Sequence, residues 1–122
     1  MIIGIGNDIV EVKRVSRAVE SEHFKEKVFT EFERSYCESR GRQSAASYAA
    51  RFAAKEAFFK AMGTGITTSL LDVEVRNNSA GQPKIFLHGK AKVLAGEIHA
   101  DKIFLSLSHC REYATAVVVI EE

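Results

Sequence analysis

Residues 51–60 read RFAAKEAFFK, and this decapeptide governs how the rest of the chain can be arranged. At about 100° per residue, alanine or phenylalanine occupies nearly every direction around a helix with this sequence. Such a helix is packed on most sides, and its small residues mark places where another backbone comes close. The pattern extends to a helix from Ala45 to Met62, with Ser44 as its N-terminal cap and Gly63 at its end.

The segment before this helix begins with an apolar, β-branched stretch from Met1 to Val12, which Gly4 and Gly6 interrupt. It predicts a strand whose backbone is closely approached by another element. Further patterns predict helices at 12–19, from Thr30 to a break at 41–43, and at 89–100, strands at 73–75, 83–87, 103–108 and 113–120, a loop at 63–68 and a hairpin turn at 77–81. The unbroken apolar run AVVVI at 116–120 indicates a central strand covered on both faces.

The helices and hairpins are clustered along the chain and do not strictly alternate, which favours an α+β fold over a doubly wound sheet. We expect a mostly antiparallel sheet packed against the long central helix. At 122 residues and 46% hydrophobic content, the chain has the size and composition of a single domain, residues 1–122.

The formal charge of +1 excludes a general electrostatic attraction for nucleic acid, so affinity for phosphate must come from locally placed cations. No apolar run approaches the roughly 20 residues that cross a bilayer, and the first residues lack a secretory pattern. The two cysteines, Cys37 and Cys110, are too few for a disulfide framework. We therefore expect a soluble, cytoplasmic protein with neither nucleic acid nor membrane as a partner.

Asp8 lies inside the first apolar strand, where aspartate is disfavoured. The surrounding GIGNDI lacks the third glycine of the dinucleotide-binding fingerprint, because Ile9 stands in its place, so that interpretation is rejected. Two interpretations remain. Asp8 is either buried and in need of a partner or a metal, or it lies at an edge and faces water or a lysine.

Glu56 is a single carboxylate among three cations, Arg51, Lys55 and Lys60. In the simpler interpretation Glu56 and Lys60 form an ordinary i,i+4 ion pair, worth roughly 0.2–0.5 kcal/mol on an exposed face. In the functional interpretation Glu56 and Asp8 are the two carboxylates of a magnesium site, and the cations receive a polyphosphate.

Two further features have both a structural and a functional interpretation. Gly63, Thr64, Gly65 and Ile66 form either a plain helix end or a loop that wraps a phosphate or a base. His109, at the end of a strand, is either a structural residue or a donor to a phosphate oxygen. No spacing indicates a nucleophile within the chain.

Four blocks of the sequence resemble holo-[acyl-carrier-protein] synthases, the small 4'-phosphopantetheinyl transferases. They are GIGNDIVE at 4–11, RFAAKEAFFKA at 51–61, GTGI at 63–66, and LSLSH at 105–109 with EYA at 112–114. The blocks occur in the family's order and span essentially the whole chain. Asn7 replaces a hydrophobic residue of the family pattern, and Phe59 fills a position that is commonly small.

The resemblance implies the 4'-phosphopantetheinyl transferase fold and the transfer of the 4'-phosphopantetheine arm from coenzyme A to a serine of apo-acyl carrier protein. Adenosine 3',5'-bisphosphate is released, in support of fatty acid biosynthesis. By the family pattern Asp8 and Glu56 hold Mg2+, and Lys60 is the cation nearest the pyrophosphate. Arg51 and His109 contact coenzyme A phosphates, preferably the 3'-phosphate, and Gly63, Thr64, Gly65 and Ile66 border the adenosine.

The resemblance also implies a homotrimer with active sites between subunits, one subunit bringing Asp8 and the other the Lys55–Glu56 helix, or a similar division. Because acyl carrier proteins are acidic, Lys13, Arg14 and Arg17 are candidates for carrier docking; the alternative is a solvated helix face. Two other functions remain open: a non-catalytic oligomeric module that binds a nucleotide or coenzyme A, and a structural trimer without affinity for coenzyme A.

Overall fold

A computed structural model describes all of residues 1–122 and contains five strands and five α-helices. In chain order they are β1 Ile2–Glu11, α1 Val12–Ala18, α2 Glu22–Val28, α3 Glu31–Glu38, α4 Ser44–Met62, β2 Val73–Asn77, β3 Pro83–Leu87, α5 Gly89–Glu97, β4 Lys102–His109 and β5 Tyr113–Glu121. Short 3-10 turns at Gly41–Gln43 and Leu70–Asp72 precede α4 and β2. The expected α+β class is confirmed.

The strands form two antiparallel sheets, and β1 is the only strand that precedes α4 in the sequence. β1, β5 and β4 make a three-stranded sheet with β5 in the middle, and β2 pairs with β3 in a separate hairpin. A Cβ atom on Gly4 or Gly6 would overlap the carbonyl oxygen of Ala61 or Ala57 on α4. These two glycines therefore let β1 lie directly against the helix, and the predicted close approach of backbones is confirmed.

Helix α4 is the centre of the core, with 13 of its 19 residues buried, most of them alanine or phenylalanine. The helix ends at Gly63, which adopts the left-handed conformation with φ 77° and needs no Cβ there. The expected cap at Ser44 is wrong. Gln43 occupies the N-cap position without a side-chain hydrogen bond, and Ser44 is already helical because the preceding 3-10 turn leads directly into α4.

Helix α2 was not predicted, although its signals are present in the sequence. The Ser21 hydroxyl accepts a hydrogen bond from the Phe24 amide at 3.2 Å, which caps the helix. Phe24 and Val28 lie four residues apart and both contribute to the core that α1, α3 and α4 share. Since the helix is only 7 residues long, its apolar period spans one repeat and is easily overlooked.

Strand β5 is central, as predicted, but only one of its faces is covered within the chain. Ala114, Ala116, Val118 and Ile120 are fully buried against α4, whereas Val117 is 37% exposed. The uncovered side, called here the outer sheet face, consists of Ile5, Asn7, Ile9, Phe104, Ser106, Val117 and Val119, which the strand register places side by side. Ile5, Ile9 and Phe104 are 68%, 63% and 52% exposed, so this face is largely apolar and open.

No helix of the chain is both long enough and apolar enough to cross a membrane.

Candidate functional site

Asp8 and Glu56 line the same cavity, which has a volume of about 570 Å³. We call it the carboxylate cavity; its other lining side chains include Arg14 of α1, Phe24 of α2, Phe52 of α4 and Tyr113 of β5. The cavity forms because the two glycines bring β1 onto α4, which places the strand carboxylate beside the helix carboxylate. One chain thus supplies both carboxylates, and the expected division of Asp8 and the Glu56 helix between two subunits is wrong.

The Asp8 carboxylate is buried, with 8% of the residue exposed, and is only half satisfied. Its Oδ1 accepts a hydrogen bond from Lys60 Nζ at 2.9 Å, and that ammonium also donates to the Asn7 carbonyl at 3.1 Å. Its Oδ2 is buried without any hydrogen-bond partner. Since an unpaired buried carboxylate oxygen is costly, this oxygen is a natural ligand for a cation.

The ion pair of Lys60 therefore involves Asp8 and not Glu56. Hydrogen bonding to Asp8 raises the pKa of Lys60. Glu56 is left half-buried in the cavity wall, where burial first and the nearby Asp8 charge second raise its pKa, while Lys60 and Arg14 act in the opposite direction. Two adjacent carboxylates with incomplete compensation favour an added positive charge.

This arrangement fits a magnesium ion, which typically takes one or two protein carboxylates and completes its shell with water and substrate phosphates. Asp8 Oδ2 and the Glu56 carboxylate are the oxygens available for it. No group of three or more His, Cys, Asp or Glu side chains is placed to hold a metal. The chain thus offers a two-carboxylate site and not an all-protein cage.

Lys55 does not receive a polyphosphate, contrary to the interpretation that grouped it with Arg51 and Lys60. Its side chain is fully buried, and its Nζ donates to Glu33 Oε1 at 2.8 Å, to the Leu70 carbonyl at 3.0 Å and to the Val73 carbonyl at 2.7 Å. Burial lowers the pKa of Lys55, and the Glu33 charge opposes this effect. Lys55 therefore joins α3 to α4 and β2 and has no route to a ligand.

Arg51 and His109 line a second cavity of about 240 Å³. We call it the cationic cavity, since Arg40 also lines it and no acidic side chain does; Tyr36, Ser47, Asn77 and Pro83 complete most of its wall. Arg51 is buried, and its Nε has no hydrogen-bond partner. Two arginines and a histidine around a cavity without acidic side chains favour an anionic ligand.

The remaining predicted site residues lie on the surface. Lys13, Arg14 and Arg17 are exposed on α1, and Arg14 reaches the rim of the carboxylate cavity. The loop from Gly63 to Ile66 is exposed and lines neither cavity, with Thr64 Oγ1 donating to the Gly65 carbonyl at 2.8 Å. Within one chain the predicted site residues therefore lie in three places: at the carboxylate cavity, at the cationic cavity and on the exposed surface.

Sequence reasoning missed several residues that shape these cavities. Ser47 binds Arg51 one helical turn away, a spacing that could have indicated the contact. Phe24 and Phe52 close one side of the carboxylate cavity. Tyr36 and Asn77 contact Arg51 from α3 and from the β2–β3 hairpin, and no local pattern indicates either contact.

Comparison with known proteins gives concordant similarities over the whole chain. The model of the 4'-phosphopantetheinyl transferase superfamily matches residues 4–118. The holo-[acyl-carrier-protein] synthase of Ruminiclostridium cellulolyticum is 49% identical over 120 residues, 95% of this chain and 90% of that protein. The crystal structure of holo-[acyl-carrier-protein] synthase from Neisseria meningitidis matches all of both chains with a TM-score of 0.91 and 33% identity. A holo-(acyl-carrier-protein) synthase structure from Bacillus anthracis, in complex with CoA (3',5'-ADP), matches 98% of this chain and 96% of that one, with a TM-score of 0.82 and 39% identity.

Proposed function

This chain belongs to the 4'-phosphopantetheinyl transferase superfamily, and on that premise we propose that it transfers the 4'-phosphopantetheine arm of coenzyme A to a serine of apo-acyl carrier protein. The products are holo-acyl carrier protein and adenosine 3',5'-bisphosphate, and the reaction serves fatty acid biosynthesis in the cytoplasm. The observation that carries the proposal is the meeting of Asp8 and Glu56, distant in sequence, in one cavity beside Lys60.

In this reaction the serine oxygen of the carrier forms a bond to the phosphorus that bears the pantetheine arm. The bond from that phosphorus to the bisphosphate oxygen breaks, and the serine loses its proton. The nucleophile belongs to the carrier, which agrees with the lack of a nucleophile pattern in this chain. A base at the carboxylate cavity would accept this proton, and of Asp8 and Glu56 it is Glu56 that forms no ion pair.

Asp8 and Glu56 would hold Mg2+, with the unpaired Asp8 Oδ2 as one ligand. Bound there, Mg2+ would neutralise the negative charge that develops on the leaving pyrophosphate. The Lys60 side chain is half exposed, so its ammonium can bind a diphosphate oxygen while it remains close to Asp8. Its positive charge then stabilises the transition state more than the ground state.

Arg51 and His109 would bind the 3'-phosphate of coenzyme A in the cationic cavity, and the loop from Gly63 to Ile66 would border the adenosine. An acid-free cavity with a buried arginine supports this assignment. Lys13, Arg14 and Arg17 would dock the acidic carrier, because Arg14 stands at the rim of the carboxylate cavity where the serine must enter.

A homotrimer would reconcile the two cavities with one substrate. The carboxylate and cationic cavities share no lining residue within a chain, so one coenzyme A molecule would reach from the first cavity of one copy to the second cavity of its neighbour. The outer sheet face supplies an apolar surface for association, with Ile5, Ile9 and Phe104 exposed on it.

Carrier modification provides the direct test. The purified chain is incubated with coenzyme A and apo-acyl carrier protein, with Mg2+ or with a chelator, and the mass of the carrier is measured. We expect the carrier to gain the mass of one phosphopantetheine arm in the presence of Mg2+ only. Binding of coenzyme A without any mass gain would instead identify a binding module.

A further inference from the structure

Arg51 is held on three sides by groups that fix the orientation of its guanidinium. Nη1 donates to Ser47 Oγ at 3.1 Å, Nη2 donates to Asn77 Oδ1, and Cζ lies 4.2 Å from the centre of the Tyr36 ring. A guanidinium has five N–H donors in a rigid plane, so fixing both terminal nitrogens also fixes the direction of Nε. That Nε is the buried donor without a partner.

Asn77 is itself oriented by the turn of the β2–β3 hairpin. Its Nδ2 donates to the Gly81 carbonyl at 2.9 Å, which leaves Oδ1 as the atom that faces Arg51. The same turn is closed independently by Asn78, whose Oδ1 accepts hydrogen bonds from the Ala80 and Gln82 amides at 2.9 Å each. The turn therefore fixes the position of Asn77, and Asn77 in its turn fixes the position of the Arg51 guanidinium.

The chemical type of this partner matters as much as its position. An amide oxygen accepts a hydrogen bond and leaves the net charge of Arg51 intact, whereas a carboxylate in its place would neutralise that charge. The cationic cavity contains no carboxylate, so the charge of Arg51 stays available to a ligand. The ligand class that uses such a charge is a phosphate monoester, which carries close to two negative charges near neutral pH.

We propose that Asn77 is a positioning residue that holds Arg51 in the orientation that binds the 3'-phosphate of coenzyme A, and so sets the preference for coenzyme A over dephospho-coenzyme A. The inference rests on the proposed function, because it takes coenzyme A as the donor and Arg51 as a phosphate contact. It adds a residue from a different element, at the start of the predicted hairpin turn and outside the four blocks that resemble the family.

The experiment measures carrier modification with coenzyme A and with dephospho-coenzyme A, which lacks the 3'-phosphate, for the parent chain and for Asn77→Ala, Asn77→Asp, Arg51→Ala and Asn78→Ala. For Asn77→Ala we expect kcat/KM with coenzyme A to fall about tenfold through KM, the size of one hydrogen bond to a charged group. With dephospho-coenzyme A it should stay within about twofold, a margin worth less than half a kcal/mol. Asn77→Asp should reduce the preference further, since it neutralises Arg51 in place.

The control and the double variant separate positioning from general structure. Asn78→Ala removes the neighbouring turn contacts without touching Arg51, so it should leave the ratio of the two kcat/KM values unchanged. The Arg51→Ala/Asn77→Ala double variant should show the same preference as Arg51→Ala alone, because Asn77 acts through Arg51.

Three results would overturn the inference. Equal losses with both donors in Asn77→Ala would assign Asn77 to the structure of the turn only. An unchanged preference in Asn77→Ala, with a reduced one in Arg51→Ala, would remove Asn77 and keep the phosphate role of Arg51. An unchanged preference in Arg51→Ala would remove the phosphate role as well, while continued mass gain of the carrier would still leave the proposed transferase activity standing.

Discussion

Lys55 and Glu56 are neighbours on α4, yet they belong to two clusters of charged side chains. The clusters differ in how many of their polar atoms have hydrogen-bond partners. Around Lys55 every polar atom is paired: its ammonium has three acceptors, while Glu33 Oε1 also accepts from the Thr30 amide at 2.9 Å and Oε2 from the Val75 amide at 2.7 Å. Around Glu56 the nearby Asp8 retains an unpaired buried oxygen, and burial together with Asp8 raises the pKa of Glu56.

This difference assigns the Lys55 cluster to the fold and supports the proposal that the Asp8–Glu56 cluster takes part in the chemistry. A buried ion pair with all its hydrogen bonds made leaves nothing for a ligand, so the Lys55 cluster is structural. A buried carboxylate with a free oxygen is costly within the chain alone and becomes favourable when a cation arrives. Adjacent residues of one helix are thus separated in function by their partners and not by their chemical type.

Breaking the completed cluster should have the largest effect. We expect Lys55→Met to lower the free energy of unfolding by about 3–5 kcal/mol, because it leaves Glu33 as an uncompensated buried charge. Denaturant unfolding followed by circular dichroism measures this, with the same change at exposed Lys92 on α5 as the matched control. A Lys55→Met/Glu33→Leu double variant should not recover the loss, since Leu70, Val73, Val75 and Thr30 would keep unpaired backbone groups. Equal stability of Lys55→Met and Lys92→Met would contradict a structural role.

A substitution in the incomplete cluster of Asp8 and Glu56 should lower the activity and leave the stability nearly unchanged. Asp8→Asn keeps an acceptor for Lys60 but removes the carboxylate charge, so we expect a loss of about 4 kcal/mol of transition-state stabilisation, about a thousandfold in kcat. The unfolding free energy should change by less than about 1 kcal/mol, because Asp8 Oδ2 has no partner to lose. Carrier mass gain under single-turnover conditions measures the rate, and Asp101→Asn, at an exposed position, is the control. A variant with near-parental rate would remove Asp8 from the site.

Replacing Lys60 tests whether its ammonium only pairs with Asp8 or also binds the diphosphate of the substrate. If its ammonium binds the diphosphate, Lys60→Ala should cost about 2–4 kcal/mol of transition-state stabilisation, with little change in unfolding. The comparison of kcat/KM with that of Lys92→Ala isolates the effect from the general loss of a positive charge. A rate within about twofold of the parent, under half a kcal/mol, would remove Lys60 from the mechanism.

The sequence predicts those features of the fold and of the candidate site that depend on local sequence patterns. The alanine and phenylalanine repeat predicts α4, and the glycines at positions 4 and 6 predict the close approach of β1, because both are properties of short segments. The resemblance of four blocks points to Asp8 and Glu56 together. The structure adds that these two carboxylates line one cavity of one chain.

What the sequence leaves open depends on which elements pack together. Lys55 and Lys60 look alike as cations on one helix, and only the packing of α3 and β2 against α4 buries the first. The partner of Lys60 could be Glu56 by spacing but is Asp8, because β1 runs across that face of the helix. Asn77 reaches Arg51 through a hairpin turn, a contact that no periodicity encodes.

Arg14 lies at the rim of the carboxylate cavity and allows the proposed docking of the carrier to be tested. It is exposed and lines the carboxylate cavity, so we expect Arg14→Glu to raise the KM for the carrier about tenfold, or about 1.4 kcal/mol, and the KM for coenzyme A less. The effect should shrink at high salt, because the proposed contacts with the carrier are between exposed charges that salt screens. Lys90→Glu on α5 is the control for charge reversal alone. Equal increases in both KM values would argue against a docking role.

The surface cluster of Glu38, Tyr48 and Lys25 should show the smallest effect, because its hydrogen bonds are made but are at least partly exposed to solvent. Hydrogen bonds from Tyr48 and then Lys25 lower the pKa of Glu38, whose side chain is half exposed. A carboxyl with a lowered folded-state pKa stabilises the fold above its unfolded pKa of about 4.3, and this contribution is lost as pH falls through the folded value. Glu38→Gln should therefore lower the unfolding free energy by about 0.5 kcal/mol at pH 7, and the difference should disappear at a pH well below about 4.3, where the carboxyl is protonated in both states. Paired denaturant titrations at both pH values measure it. A difference that persists unchanged in acid would mean that the charge of Glu38 contributes nothing, and that completion of a cluster matters for stability only when the cluster is buried.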